Sequence, residues 1–409
     1  MNLGTKNTGT AVFWSLCLMG GFMILSSTLS KSGSVFTPLL INLETPDAWS
    51  GIVLSASTIP GILISLPAAS LSDIFGRRKF LLLAGVIFAS APFLYLFIND
   101  WWQLIPVRFY HGFATAIFVP VAEASIAELF PTRRGERISL FTSATYIGRI
   151  IAPTLGGYVL AATNNDFHQV YLAVGVVAVT GLITAMPFLA KERRPAKSSE
   201  RSASESIKSM FQGWRTIASN GGVVIVSLIQ ASQYYVFGAF DAYLAYYLLR
   251  GLKYGTISTG LIASSVLAVA IFARPFMGRV SDKIGRGIPI VFGCVLSALA
   301  LVTVPFMTDF AVLLILLVVY GFGFATVTSS TSPLICELVH SELVGTSMGF
   351  LDTMMDIGQT LGAFVTGLVF AMSFQYTGVF LSFAIVLLFS CAVFAVWKLV
   401  GKRSTGKSR

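Results

Sequence analysis

The segment Ser72-Asp73-Ile74-Phe75-Gly76-Arg77-Arg78 returns 209 residues later as Ser281-Asp282-Lys283-Ile284-Gly285-Arg286-Gly287. The same offset carries Gly112-Phe113 onto Gly321-Phe322 and Glu128-Leu129 onto Glu337-Leu338. With one residue more, Gly148 maps onto Gly358 and Gly157 onto Gly367. Self-similarity held over half of a 409-residue chain restricts the fold to two like halves that bury equivalent faces.

Composition fixes the solvent of those halves. Hydrophobic residues make up 55% of the chain and charged residues 11%, whereas a soluble domain carries about 25% charged residues. Apolar runs long enough to cross a hydrocarbon core of ~30 Å recur throughout. They fall at 11–42, 48–71, 80–98, 103–130, 137–161, 168–190, 221–249, 256–278, 288–307, 310–338, 344–372 and 376–398. Twelve spans in two sets of six predict an all-α integral membrane protein. The expected division is an N-terminal half at 1–190, a linker at 191–220 and a C-terminal half at 221–409 with a short tail. In a membrane, duplicated halves imply a transporter with its substrate site between them.

The net charge of +10 is a matter of topology rather than of a nucleic-acid partner. Lys and Arg crowd alternate loops: Arg77-Arg78-Lys79, Arg133-Arg134, 191–215, 279–286 and 398–409. The opposite loops hold little basic charge beyond Arg250 and Lys253, and carry Glu44, Asp47, Asp100, Asp166 and Asp309. The positive-inside rule then puts both termini and the linker in the cytoplasm of a cell (inner) membrane protein. Trp14, Trp49, Trp101, Trp102 and Trp397 sit at span ends, where amphipathic rings anchor to the interface. The linker has the spacing for a short amphipathic helix at 207–217. Cys17, Cys294, Cys336 and Cys391 all fall inside apolar spans and read as small core residues, with no disulfide or metal spacing. No cofactor is expected.

Three motifs carry more than hydropathy. In 69–79 (ASLSDIFGRRK), Gly76 permits a tight turn between helices, Asp73 can cap a helix or pair with arginine, and Arg77 can reach Glu128 at a neighbouring helix end. Asp282, Gly285, Arg286 and Glu337 repeat that set. The bland alternative, a generic basic loop, explains one copy better than two. In 148–157 (GRIIAPTLGG), the small residues allow close helix packing and Pro153 bends the helix. The third motif is Arg108-Phe109-Tyr110-His111-Gly112. Together they resemble the major facilitator superfamily: its G-x-L-x-D-R-x-G-R-[RK] loop, its helix-5 antiporter motif g-x-x-x-G-P-x-x-G-G and its helix-4 R-x-x-x-G. Ala69 stands for the first loop glycine, Ile74 for a basic residue, and Ala152 for a helix-5 glycine. The resemblance implies a twelve-helix transporter. It also implies gating at the duplicated loops, an exporter's helix-5 packing at Gly148, Pro153, Gly156 and Gly157, and proton coupling involving Arg108. Arg108 also lies near Trp102, so an interfacial anchor is the alternative.

Charges inside spans cost at least ~2.5 kcal/mol each and need a partner, a cavity or a function. Seven qualify here: Lys31, Arg108, Glu123, Arg149, Asp241, Asp352 and Asp356. Asp352 and Asp356 lie one helical turn apart, and like-charge repulsion in low dielectric favours a proton on one of them. A permanent ion pair with a cation on another helix is the competing account. The order of expectation for proton coupling is Asp356, Asp352, Glu123, then Asp241. Two polar runs, Ser26 to Ser34 around Lys31 and 326–332 with Ser330, predict cavity walls, although each hydroxyl can instead bond back to its own helix. Gln233, Tyr234 and Asp241 add an aromatic, acidic wall on the seventh span. The substrate-binding candidates are therefore Lys31, Ser27, Ser34, His111, Arg149, Gln233, Tyr234, Asp241 and Ser330. A lone helix histidine such as His111 is more often a packing residue.

The reading is a monomeric secondary transporter with a small-molecule substrate, protons and the lipid bilayer as partners. Proton-coupled export of an amphiphilic or anionic molecule leads. Import of a polar organic anion is the alternative, and a non-transporting receptor on the same fold belongs to another class. An enzyme is not expected: there is no HExxH, no G-x-S-x-G and no Walker loop.

Overall fold

The computed structural model describes residues 3–189, 215–340, 343–372 and 375–406. Among these there is no strand, and the elements are long helices joined by short turns. They are α1 (Leu3–Lys31), α2 (Gly33–Asn42), α3 (Asp47–Ser55), α4 (Ile59–Phe75), α5 (Arg77–Leu94), α6 (Leu104–Leu129) and α7 (Arg134–Ala162). After α8 (Phe167–Leu189) come α9 (Gly221–Tyr246), α10 (Thr256–Ile284), α11 (Gly287–Thr303), α12 (Phe310–Leu338), α13 (Val344–Phe370) and α14 (Gln375–Gly406). Most of the linker, including 207–214 of the amphipathic segment expected at 207–217, lies outside the described residues, and 215–218 are helical.

The first two expected spans are each broken once. Ser32, extended at ψ 145°, separates α1 from α2, and a turn at 56–58 separates α3 from α4. Ten stretches among the described residues are long and apolar enough to cross a membrane. The fifth and eleventh expected spans, α7 and α13, are 29 and 27 residues long but more polar, because they carry the charges singled out above. With them the protein is an all-α, multi-pass membrane fold of two six-helix repeats. Large apolar side chains such as Phe272 and Phe389 are exposed, as a lipid-facing surface requires. Three cysteines are buried as expected. Cys336 is exposed, because it falls on the outer face of α12.

Helix ends follow local chemistry. Asp309 accepts from the backbone of Ala311 and Val312 and caps α12. Asp166 accepts from His168 and Gln169 at the start of α8. These acids are therefore helix caps as well as topology signals. Gly76 and Gly285 end α4 and α10 at φ 98° and 85°. A Cβ would meet nothing within 4 Å at either position, so backbone conformation alone demands glycine there. Gly76→Ala or Gly285→Ala should each cost about 1–2 kcal/mol through the left-handed penalty. Gly135→Ala, in open space within α7, should be neutral or mildly stabilising. Thermal melts of the three variants in one detergent check the contrast.

The 209–210 offset reappears in interhelical contacts, where lipid-embedded helices gain most from close backbone approach. A Cβ on Gly112 would overlap the Ser57 carbonyl, and one on Gly321 would press on that of Val266. Gly148 lies against Gly21 as Gly358 lies against Ala231. Gly260 abuts the Pro153 carbonyl as Gly51 abuts that of Ala363.

Two compact units result. One comprises 1–45, 56–207 and 244–264, and the other 46–55, 208–243 and 265–409. Each contains a short segment from the opposite half of the sequence: the start of α10 packs on α7 in the first, and α3 packs on α13 in the second. The first unit has a core of Phe13, Met19, Met23, Phe88, Phe118 and Phe141. The second centres on Val226, Ile229, Ile290, Val327 and Phe394.

Candidate functional site

The duplicated loops form the same ion pair twice. Arg77 donates from Nε and Nη2 to the two Glu128 oxygens at 2.8 and 2.6 Å, a bidentate fork. Arg286 donates from Nε to Glu337 at 2.9 Å, and it also pairs with Asp282. Both arginines are largely covered while both glutamates are more than half exposed, so each pair is worth at most about 1 kcal/mol in stability. Burial alone would lower the Arg286 pKa, but hydrogen bonds to Glu337 and Asp282 outweigh it and hold it above the ordinary value. The Asp73 side chain lies outside what the structure describes.

The R-x-x-x-G motif has a direct physical account. Gly112 makes room for the Ser57 carbonyl at the α3–α4 break, and one turn earlier Arg108 Nη2 donates to Ser57 Oγ at 2.9 Å. The guanidinium is buried and lies 4.1 Å from the Phe36 ring centroid. Tyr95, stacked on Tyr171 at 4.4 Å, is within electrostatic range of Arg108 without meeting strict hydrogen-bond geometry. His111, one turn along α6 from Arg108, packs edge-on to Phe88 and Tyr95. It is fully buried, and neither ring nitrogen has a hydrogen-bond partner. Lys31 ends α1 and is half-buried, as is Arg149 on α7. Both guanidinium groups act electrostatically on Lys31.

The helix-5 motif divides its two final glycines between different neighbours. A Cβ on Gly156 would meet Val35 Cγ2 at 2.7 Å, within the same half of the sequence. On Gly157 it would overlap the carbonyl of Thr256 on α10. Thr256 Oγ1 donates to the Gly157 carbonyl at 2.9 Å, and Thr154 Oγ1 bonds Ser264 Oγ at 2.8 Å. Pro153 supplies a carbonyl that accepts from Ser34 Oγ at 2.6 Å.

On α13, Asp356 sits near the helix midpoint and is half-buried, while Asp352 one turn earlier is exposed. Among the described residues neither carboxylate has a side-chain hydrogen bond or an ion pair. Glu123 and Asp241 are half-buried and engage neighbours.

In the polar runs, several hydroxyls bond to backbone carbonyls, the alternative open to each of them. Ser27, Ser34 and Ser330 are buried, and the hydroxyls of Ser34 and Ser330 donate to backbone carbonyls. Ser30 donates to Ser26 and Ser27, Ser34 to Pro153, and Ser330 to Thr326. Thr326, Thr328, Ser329 and Thr331 likewise bond back along α12. The acceptor is a carbonyl about one turn back on the same helix, or for Ser34 a carbonyl on the facing α7. Gln233 is also buried, donating to Cys294 Sγ at 3.4 Å. Tyr234 stays half-buried and accepts from Arg274 Nη2 at 3.4 Å. Arg274 escaped the list of intramembrane charges. Its signal was present as a cation followed by Pro275 inside an otherwise apolar run.

Comparison with known proteins bears on the fold and the family. A family model described as Major Facilitator Superfamily matches residues 11–308 and 226–409. An uncharacterized MFS-type transporter of Methanocaldococcus jannaschii is 25% identical over 319 residues, covering 76% of this chain and 80% of its own. A Lactococcus lactis homolog of the multi-drug resistance efflux pump PmrA is 24% identical over 327 residues, 78% of each chain. The crystal structure of a bacterial homolog of the human lysosomal transporter Spinster aligns over 99% of both chains with TM-score 0.80 at 16% identity, a likeness of fold. With the family model matching nearly its whole length, this chain belongs to the Major Facilitator Superfamily.

Proposed function

We propose that this protein is a proton-coupled secondary transporter that exports an amphiphilic or anionic small organic molecule by alternating access. The observation that carries the coupling is the α13 pair: two aspartates one turn apart, near the middle of a membrane helix, without side-chain partners among the described residues. One proton on such a pair relieves both desolvation and mutual repulsion. Export is supported by the helix-5 packing and by the efflux function named for the Lactococcus relative. On this reading the protein works as a monomer in the cell (inner) membrane, and the basic charge of alternate loops supports cytoplasmic termini. It is not an enzyme and needs no cofactor.

A second reading, import of a polar organic anion, is favoured by the cations Lys31, Arg108 and Arg149. Proteoliposomes separate the two. Compounds selected by a thermal-shift screen are added outside vesicles containing a pH dye. Antiport drives protons out as substrate enters, whereas symport carries both inward. If no compound that stabilises the protein moves protons or exchanges, the transporter reading fails.

A further inference from the structure

Within the second compact unit, helices α9, α13 and α14 enclose a cavity of about 260 Å³. On α9 its lining runs from Ile225 through Leu228 and Ser232 to Tyr235, about 15 Å of helix. Met354, Ile357, Gly358 and Leu361 line it from α13, at the three- and four-residue spacing of one helix face. Asp352 and Asp356 each lie two residues from Met354, about 200° round the helix and so on the opposite face. Two close contacts hold the three helices around the cavity. Gly358, lacking a Cβ, seats against the Ala231 carbonyl. Ser232 Oγ lies 2.8 Å from Ser390 Oγ and joins α9 to α14.

The lining chemistry excludes most ligands. Among the described residues that line the cavity none is charged. The Ser232 and Ser390 hydroxyls have two protons between them. Those protons face the Ile229 and Leu387 carbonyls, at 2.8 and 3.0 Å, as well as each other's oxygens. No serine proton is left for a ligand, and what the cavity offers is chiefly dispersion contact.

Its mouth is continuous with the lipid-facing surface. Leu228, Leu361, Phe389 and Val393 belong to the lining and are exposed. An apolar rim of this kind is stable where the surrounding solvent is hydrocarbon. The groove follows the axes of membrane helices, and its length is half of the ~30 Å hydrocarbon core, the depth of one leaflet. Left empty, it would forfeit the contacts of every side chain around it, and a lipid tail alongside can supply them.

We propose that the groove between α9, α13 and α14 is a binding site for one extended acyl chain of a bilayer lipid. The lipid is a structural ligand rather than the transported substrate. Its chain enters sideways from the lipid-facing surface and supports α13 on the face away from the two aspartates.

Carbene labelling of the full-length protein in liposomes tests this. The probe is a phosphatidylcholine with a diazirine midway along one straight chain, in trace amount within branched-chain diphytanoyl phosphatidylcholine. Methyl branches do not fit between the three helices, so the straight probe should concentrate in the groove. Label on peptides carrying Ser232, Met354 and Ser390 is expected at about tenfold the level at Phe272 and Phe276, which are exposed on α10. A straight-chain host lipid should remove that excess by competition. Ala231→Leu and Ser390→Leu each place a branched side chain in the groove and should bring the label down to the α10 level. Equal label at the groove and at α10 in the branched host, or an excess that the straight-chain host leaves unchanged, overturns the site. Both of those results come from the native chain and decide even where a variant does not fold. Displacement of the probe by a compound that undergoes counterflow would give the groove to substrate. Protection of the same peptides by a second copy of the chain, seen as a dimer mass in nanodiscs, would give it to self-association. Either result overturns the lipid site.

Discussion

Asp356→Asn is expected to abolish substrate movement driven by a pH difference while leaving gradient-free counterflow within about threefold of the parent. The two readouts separate because coupling and conformational exchange place different demands on one residue. Exchange needs the helices to pack and move, and asparagine preserves the size of aspartate. Coupling needs a group that binds a proton on one side of the membrane and releases it on the other, and an amide cannot do so. Asp356 comes first because it sits near the midpoint of α13 with no side-chain partner among the described residues. Asp352, one turn away and exposed, is expected to give a partial loss, since it tunes its neighbour by repulsion. Glu123 and Asp241 already engage neighbours, so their amide variants should act first on stability. Proteoliposomes with an imposed pH step, then with labelled substrate on both sides and no step, supply the two measurements. If Asp356→Asn, Asp352→Asn, Glu123→Gln and Asp241→Asn all still move substrate under the pH step alone, the carboxylate mechanism is wrong.

Much of the architecture was legible because the repeat is a physical record of paired contacts. Gly112 and Gly321 share an offset with Ser57 and Val266, whose carbonyls they accommodate. The loop motif was likewise readable down to the Arg77–Glu128 pair, since turn glycine, fork and acceptor occur at the same spacing in both halves. The breaks at Ser32 and 56–58 were not legible. Hydropathy averages over a span, and a single extended residue or one irregular turn leaves that average unchanged.

The site was less readable, for a reason visible in Ser30, Ser34 and Ser330. A hydroxyl in an apolar helix has two ways to be satisfied, cavity water or a nearby carbonyl, and composition does not distinguish them. Here the carbonyls won. Charged residues lack that escape, which is why Lys31, Arg108, Arg149, Asp352 and Asp356 remained informative where the serines did not. Arg274 was missed by the opposite error. Its place near the end of a span made it resemble a boundary residue, although the structure sets it against Tyr234 and the Phe324 ring.

Gly157→Ala and Gly260→Ala are expected to part α7 from α10, whereas Gly156→Ala is not. A Cβ at Gly157 would overlap the Thr256 carbonyl, and one at Gly260 would overlap that of Pro153. Both obstacles are backbone, which cannot rotate aside as a side chain can. Separation also breaks the bond from Thr256 to Gly157 and the two from Thr154 to Ser264. At about 0.6 kcal/mol for each bond inside a membrane, the loss is about 2 kcal/mol, or more than tenfold in the population of the closed crossing. Transport should fall by a similar factor, because the proposed alternating-access cycle would re-form this crossing at every turn. At Gly156 the obstacle is the Val35 side chain on α2, within the same half. Repacking there should lower the melting temperature and leave α7 and α10 together. Spin labels at the exposed positions Tyr158 and Ile257 report the distance across the crossing. Distance distributions in Gly157→Ala and Gly260→Ala that match the parent would mean that the crossing tolerates a methyl group, and that these glycines are not what holds α7 against α10.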